Sequence, residues 1–68
     1  MSELSLKIGY LIREKRKEKK ITQESLSLRC GIDRSYMGRI ERGEVNITVE
    51  KLYEIAKVLE VSAKELLP

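Results

Sequence analysis

Hydrogen-bonding side chains are concentrated in the segment that begins at Asp33. Asp33 is a residue type that caps helices, and Arg34 and Ser35 follow it in the first turn of a predicted helix. Arg39 lies four to five residues further along that helix. An arginine can donate two parallel hydrogen bonds to O6 and N7 of guanine, which contributes about 1–3 kcal/mol of discrimination between bases. Side chains of these types at an exposed helix start are typical of contacts with base edges.

Roles unrelated to ligand binding remain open for both Arg34 and Arg39. Arg34 could be an ordinary exposed residue, although a cation at a helix start opposes the helix dipole and is mildly unfavourable for the isolated fold. That locally unfavourable charge on a capped helix favours a ligand role. Arg39 could instead pair with nearby acidic residues of its own helix.

Basic residues are unevenly distributed along the chain. The net charge is +3, with nine Lys and Arg against five Asp and Glu in residues 1–34, and five against six in residues 35–68. The excess is concentrated between residues 13 and 20. This run is either a solvated helix face or a surface that attracts a polyanion, of which nucleic acid is the common case.

The composition excludes several function classes. The 68 residues predict one small domain spanning 1–68, with no His and a single Cys. An internal disulfide, a Cys/His zinc site and His-based catalysis are therefore excluded, and we expect no enzyme, no cofactor and no metal. The N-terminus does not have the pattern of a signal peptide, and no membrane partner is expected. The default location is the cytoplasm.

Apolar spacing and capping residues predict a compact all-α domain of five short helices. The first carries the stripe Leu4, Ile8, Leu11 and Ile12 and runs from about residue 2 or 3 to 19. The others run from 23 to 29 or 30, from 34 to 42, from Thr48 onward, and from Ser62 onward. Gly9 within the first helix indicates close packing.

The second and third predicted helices flank a tight turn that contains Gly31. In a helix-turn-helix, the second of two such helices enters the major groove of DNA while the first lies across the backbone. Gln23, in the first turn of the preceding helix, is placed to hold a phosphate.

Several spaced elements occur in a characteristic order over residues 8–67. They are Ile8-Gly9, Ile12-Arg13, Arg16, Thr22-Gln23-Glu24, Leu26, Gly31-Ile32, Tyr36-Met37, Ile40-Glu41-Arg42-Gly43, Leu52, Ile55-Ala56 and Leu59. With these elements the chain resembles the lambda-repressor/Cro-like helix-turn-helix proteins of the XRE type. Within that family, Asp33-Arg34-Ser35-Tyr36, Ile40-Glu41-Arg42 and Asn46-Ile47-Thr48 look closest to the controller proteins of restriction–modification systems.

The resemblance implies a role for each matching position. The positions that read bases are Arg34, Ser35, Arg39 and Tyr36. The positions that bind phosphates are Gln23, Arg42, Asn46 and Thr48. Arg16 and Glu41 match a structural ion pair between the first and third helices, which withdraws Arg16 from the DNA contacts. The sequence departs from the family pattern at Lys20, Ser27 and Glu60, where Gly, Ala and Gly are common.

A dimer surface is expected near the C-terminus. Val61, Leu66 and Leu67 cluster there, and the family's interface lies in the same region. These side chains could instead fold back onto the fourth helix. The two arrangements are compatible if Leu66 points inward while Leu67 or Val61 is shared with the second copy. Two recognition helices related by a two-fold axis read a palindrome.

The sequence thus predicts a homodimeric transcriptional regulator on a palindromic operator in double-stranded DNA, which recruits or blocks RNA polymerase as activator, autorepressor or both. A phage or plasmid repressor, or an antitoxin-type protein-interaction module, has the same fold and remains an alternative. A structural bundle without DNA affinity is the remaining alternative.

Overall fold

The structure is a computed structural model that describes residues 2–68. It contains four α-helices and one 3-10 turn, and no strand occurs among the described residues. The elements are α1 (Glu3–Glu18), α2 (Gln23–Cys30), α3 (Arg34–Glu41), α4 (Val49–Leu59) and the C-terminal 3-10 turn (Ala63–Leu66). No helix within residues 2–68 combines the length and apolar character needed to cross a membrane.

The all-α prediction is confirmed, but the fifth element is a single 3-10 turn rather than an α-helix. Its predicted start is correct, since the Ser62 backbone N–H donates to Glu65 Oε2 at 2.9 Å. This hydrogen bond lowers the pKa of the Glu65 carboxyl. Leu67 precedes Pro68 and has extended backbone angles, as the clash with a following proline ring favours. The turn therefore ends after four residues.

Side-chain caps explain where the four α-helices begin. In each case the oxygen of the capping side chain accepts a hydrogen bond from a backbone N–H of the first turn. The capping residues are Ser2, Thr22, Asp33 and Thr48. The last three are the caps that the sequence predicts.

The core is formed by apolar side chains from all four α-helices, from the turn between α2 and α3 and from the C-terminal 3-10 turn. Its buried members are Ile8, Ile12, Leu26, Ile32, Met37, Ile40, Leu52, Ile55, Ala56, Leu59 and Leu66. Leu4, predicted in the stripe of α1, is 55% exposed, and Ser5 is buried in its place. The reason is a hydrogen bond, because Ser5 Oγ donates to Asn46 Oδ1 at 2.8 Å and so satisfies a buried hydroxyl.

Gly9 brings the backbone of α1 directly onto the end of α3. A Cβ at this position would meet the backbone carbonyl oxygen of Ile40 and, at 2.6 Å, that of Glu41. No side chain fits there, which confirms the close packing that the sequence predicts. The contact fixes the C-terminal end of α3 against α1.

Within residues 2–68, two non-glycine residues have left-handed backbone conformations, Lys20 with φ 57° and Glu60 with φ 58°. Both are positions at which glycine is common in the helix-turn-helix proteins that the sequence resembles. A residue with a Cβ is strained in this conformation by about 1–2 kcal/mol, whereas glycine is not.

Glu60→Gly is therefore expected to raise the free energy of unfolding by about 0.5–1 kcal/mol, because the strain removed exceeds the entropy that glycine adds to the unfolded chain. Glu54→Gly is the matched control, since Glu54 lies in the interior of α4. There the same change is expected to lower the free energy of unfolding by about 1 kcal/mol. Urea titration measures both, and two changes of the same sign would contradict the strain at Glu60.

Candidate nucleic-acid interface

The turn between α2 and α3 fixes the angle at which the two helices meet. Gly31 ends α2 with φ 66°, and the Ile32 N–H donates to the Ser27 carbonyl at 3.0 Å. Ile32 is buried, and Asp33 then caps α3 through a hydrogen bond from the Ser35 N–H. Met37 and Ile40 anchor the inner side of α3 in the core, so its other side faces outward.

The outward side of α3 carries three of the four predicted base-reading residues. We call Arg34, Ser35 and Arg39 the recognition face; all three are exposed, and the Arg34 side chain is 67% accessible. Arg34 Nη1 lies 3.9 Å from Glu24 Oε1, an exposed pair of the kind that contributes little to stability. Tyr36 is half-buried and packs against the core.

Arg16, Glu41 and Gln23 form a network behind the recognition face. Arg16 Nε and Nη2 donate to the two carboxylate oxygens of Glu41 at 2.8 and 3.0 Å, and Arg16 Nη1 donates to the Ile21 carbonyl at 3.0 Å. The Glu41 side chain is only 4% exposed and that of Arg16 14%. Arg16 thus joins α1 to α3, and each of its three nitrogen atoms donates a hydrogen bond to a group of the fold.

Gln23 is oriented by the same carboxylate. Gln23 Nε2 donates to Glu41 Oε1 at 3.2 Å. A carboxamide nitrogen carries two N–H groups, so one remains for an anion at the start of α2. The helix N-terminus adds a positive dipole end at this point.

A basic cleft opens beside Gln23. Three arginines and one carboxylate are among the residues that border it, which are Arg13, Arg16, Gln23, Gly38, Glu41 and Arg42. A Cβ at Gly38 would lie 3.0 Å from Arg42 Nη1 and 3.7 Å from Gln23 Oε1, so glycine keeps the cleft open. An adjoining cleft runs from Gln23 and Arg42 to Arg34 and Ser35, so two of the predicted phosphate contacts and two of the predicted base contacts border one continuous surface.

Sequence reasoning missed Arg13 and Gly38 as members of this surface. Arg13 lies in the basic run between residues 13 and 20, in which the sequence does not distinguish one cation from another. Gly38 has no side chain that would suggest a role in binding. The spacing of residues along the two helices could have indicated that both belong to this surface. Arg13 lies one turn before Arg16 on α1, and Gly38 lies four residues before Arg42.

The segment after α3 holds the other predicted phosphate contacts. Arg42 is exposed, and its Nε donates to Glu44 Oε2 at 2.5 Å. This hydrogen bond raises the pKa of Arg42 and lowers the pKa of Glu44. Asn46 accepts the Ser5 hydrogen bond through Oδ1, which leaves its Nδ2 group as a donor. Thr48 is exposed and caps α4.

The three predicted dimer residues differ in accessibility. Leu66 is completely buried in its own chain, so its side chain has no surface to offer a second copy. Leu66 therefore takes the inward position that the sequence allows for it. Leu67 is 44% exposed and Val61 is half-buried. Val61 borders a shallow, mostly apolar groove with Tyr53 and Ala63.

Several known proteins are similar to this chain in sequence and in fold. A sequence profile described as "Helix-turn-helix" matches residues 12–66. The uncharacterized HTH-type transcriptional regulator y4dJ of Sinorhizobium fredii is 42% identical over 59 residues, which is 87% of this chain and 77% of that protein. The control protein C.BamHI of Bacillus amyloliquefaciens is 34% identical over 67 residues, 97% of this chain and 83% of its own.

A solved structure has the same fold as this chain. The restriction-modification controller protein C.AhdI from Aeromonas hydrophila superposes with a TM-score of 0.89 at 36% identity. The superposition covers 93% of this chain and 96% of that one.

Proposed function

Because the chain belongs to the XRE-type helix-turn-helix family of DNA-binding transcriptional regulators, we propose that it is a homodimeric, sequence-specific regulator that binds a palindromic operator. The narrower proposal is the controller protein of a restriction–modification system, supported by the similarity to C.BamHI and C.AhdI. It acts where the DNA is, in the cytoplasm.

The observation that carries the proposal is the continuity of the recognition face with the basic cleft. Arg34 and Ser35 border the same surface as Gln23 and Arg42. Base contacts specify a sequence and phosphate contacts position the protein on the duplex. In this proposal Arg34, Ser35 and Arg39 enter the major groove, with Tyr36 at their side. Gln23, Arg42, Asn46 and Thr48 hold the flanking phosphates, and Arg13 joins them.

The size of one chain supports the proposed dimer. Its longest dimension is 26 Å, whereas two successive major grooves on one side of DNA lie about 34 Å apart. One chain therefore reads one half-site, and a two-fold pair reads both. Val61 and Leu67, with the neighbouring Tyr53, form the proposed surface between the two copies. The C-terminal 3-10 turn packs on α4 and α1, whereas α3 packs on α1 and α2, so the two surfaces lie on different elements.

Regulation in this proposal follows from occupancy. A dimer bound beside a promoter recruits RNA polymerase or blocks it, depending on the position of the operator, and controls its own gene by the same means. Restriction endonuclease and methyltransferase genes next to this one would support the narrower proposal, whereas a toxin gene would favour the antitoxin alternative.

Selection from a library of randomised duplexes tests the proposal. We expect enrichment of a two-fold symmetric sequence whose half-sites are centred about 10 base pairs apart. Sedimentation of the selected complex is expected to give two chains per duplex. Enrichment of no sequence would contradict sequence-specific binding, and one chain on an asymmetric site would contradict the dimer.

A further inference from the structure

Glu44 lies between two arginines of the proposed DNA surface. Its Oε2 accepts the hydrogen bond from Arg42 Nε at 2.5 Å, and its Oε1 lies 3.8 Å from Arg39 Nε. Arg39 belongs to the recognition face and Arg42 borders the basic cleft. One carboxylate thus neutralises a proposed base contact and a proposed phosphate contact.

The backbone that ends α3 holds Glu44 in this place. Gly43 has φ 76°, its N–H donates to the Ile40 carbonyl, and the Glu44 N–H donates to the Arg39 carbonyl at 2.9 Å. This is the hydrogen-bond pattern by which a left-handed glycine closes a helix. A Cβ at Gly43 would lie 2.6 Å from Leu6 Cα, so α1 also fixes the turn. The position of Glu44 is therefore set by the fold.

Helix stability does not account for an acid at this point. The C-terminal end of a helix carries partial negative charge and favours a cation. The side chains of Glu44 and both arginines are 38% or more exposed, and exposed ion pairs contribute little. A carboxylate does, however, present the same acceptor geometry to a guanidinium as a DNA phosphate does.

We propose that Glu44 is an internal counterion that competes with DNA phosphates for Arg42 and Arg39, and so raises the protein concentration at which DNA becomes occupied. This inference rests on the proposed DNA-binding function. A phosphate that binds Arg42 Nε must displace the Glu44 carboxylate, and a phosphate that binds the Arg42 Nη groups lies close to that carboxylate, which repels it. Both effects weaken binding to every duplex, whatever its sequence.

The test is Glu44→Gln, which keeps the shape of the side chain and removes its charge. The probe is a labelled mixed-sequence duplex, followed by fluorescence anisotropy over a range of salt concentrations. The variant is expected to bind about fivefold more tightly at low salt. Its plot of log affinity against log salt is expected to be steeper by about one unit, because one more phosphate charge is neutralised.

Glu54→Gln is the matched control, because it changes the net charge equally from an exposed position on α4 that borders neither cleft of the DNA surface. Its effect on affinity is expected to be much smaller. Arg42→Ala in both backgrounds isolates the competition. It is expected to cost more affinity in the Glu44→Gln protein than in the wild type, since Arg42 is unmasked there.

Two results would overturn the inference while the proposed function stands. In one, wild-type protein binds the duplex and Glu44→Gln binds no more tightly than Glu54→Gln. In the other, Glu44→Gln binds less tightly, which would make Glu44 a residue that positions Arg42. Wild-type protein that binds no duplex at all would overturn the inference and the proposed function together. Circular dichroism of each variant checks that it is folded.

Discussion

Arg34→Ala is expected to remove discrimination at one base pair in each half-site, by about 1–3 kcal/mol, while the protein stays folded. The Arg34 side chain is 67% exposed at the first position of α3, and its only ion pair among the described residues is the long contact with Glu24. If Arg34 reads a base as proposed, the variant loses a hydrogen-bonding fork in the major groove and little stability of the fold. Affinities for the operator and for single-base variants of it measure the effect.

Arg29→Ala is the matched control for Arg34→Ala. Arg29 is an exposed arginine in the last turn of α2, where it borders a cleft with Cys30 and Glu54. This variant loses the same charge but is expected to keep the full discrimination between bases. Unchanged discrimination in Arg34→Ala would show that α3 does not present Arg34 to the bases.

Glu41→Ala is expected to lower the free energy of unfolding by about 3–5 kcal/mol, because it leaves the Arg16 guanidinium buried without its counterion. A chain of this length has a total stability of roughly 3–10 kcal/mol, so the variant is close to unfolding at room temperature. Gln23 also loses the acceptor that orients it. Urea denaturation followed by circular dichroism measures the change.

Two further variants decide how the Glu41→Ala result is interpreted. Glu18→Ala removes the carboxylate of an exposed pair with Lys15 and is expected to cost less than about 0.5 kcal/mol. Arg16→Met combined with Glu41→Leu replaces the buried pair by apolar groups and is expected to recover part of the loss. A Glu41→Ala protein as stable as Glu18→Ala would contradict the structural role of the pair.

Much of the fold follows from local rules that the sequence displays directly. Thr22, Asp33 and Thr48 each begin a helix where a capping side chain is required, and Gly31 supplies the left-handed residue between α2 and α3. Glu60 was expected in a position that prefers glycine, and its positive φ confirms that expectation. These features depend on neighbours within one turn of chain, so a single sequence is sufficient to find them.

The parts that sequence reasoning missed depend on contacts between distant segments. Ser5 replaces Leu4 in the buried stripe because its hydroxyl has a partner 41 residues away, in Asn46.

The ion pairs of Glu44 with Arg39 and Arg42 were also missed. They require the turn geometry of Gly43, which α1 fixes through Leu6. No local pattern in the sequence indicates these three-dimensional neighbours.

We propose that the recognition face of α3 reads a DNA sequence while the basic cleft holds phosphates. A mobility-shift titration against a fragment from upstream of the protein's own gene and against a mixed-sequence duplex, each at two salt concentrations, tests it most directly. We predict tighter binding to the upstream fragment at both concentrations, and affinities for both duplexes that fall steeply as salt rises. Binding that depends on neither sequence nor salt would contradict the account.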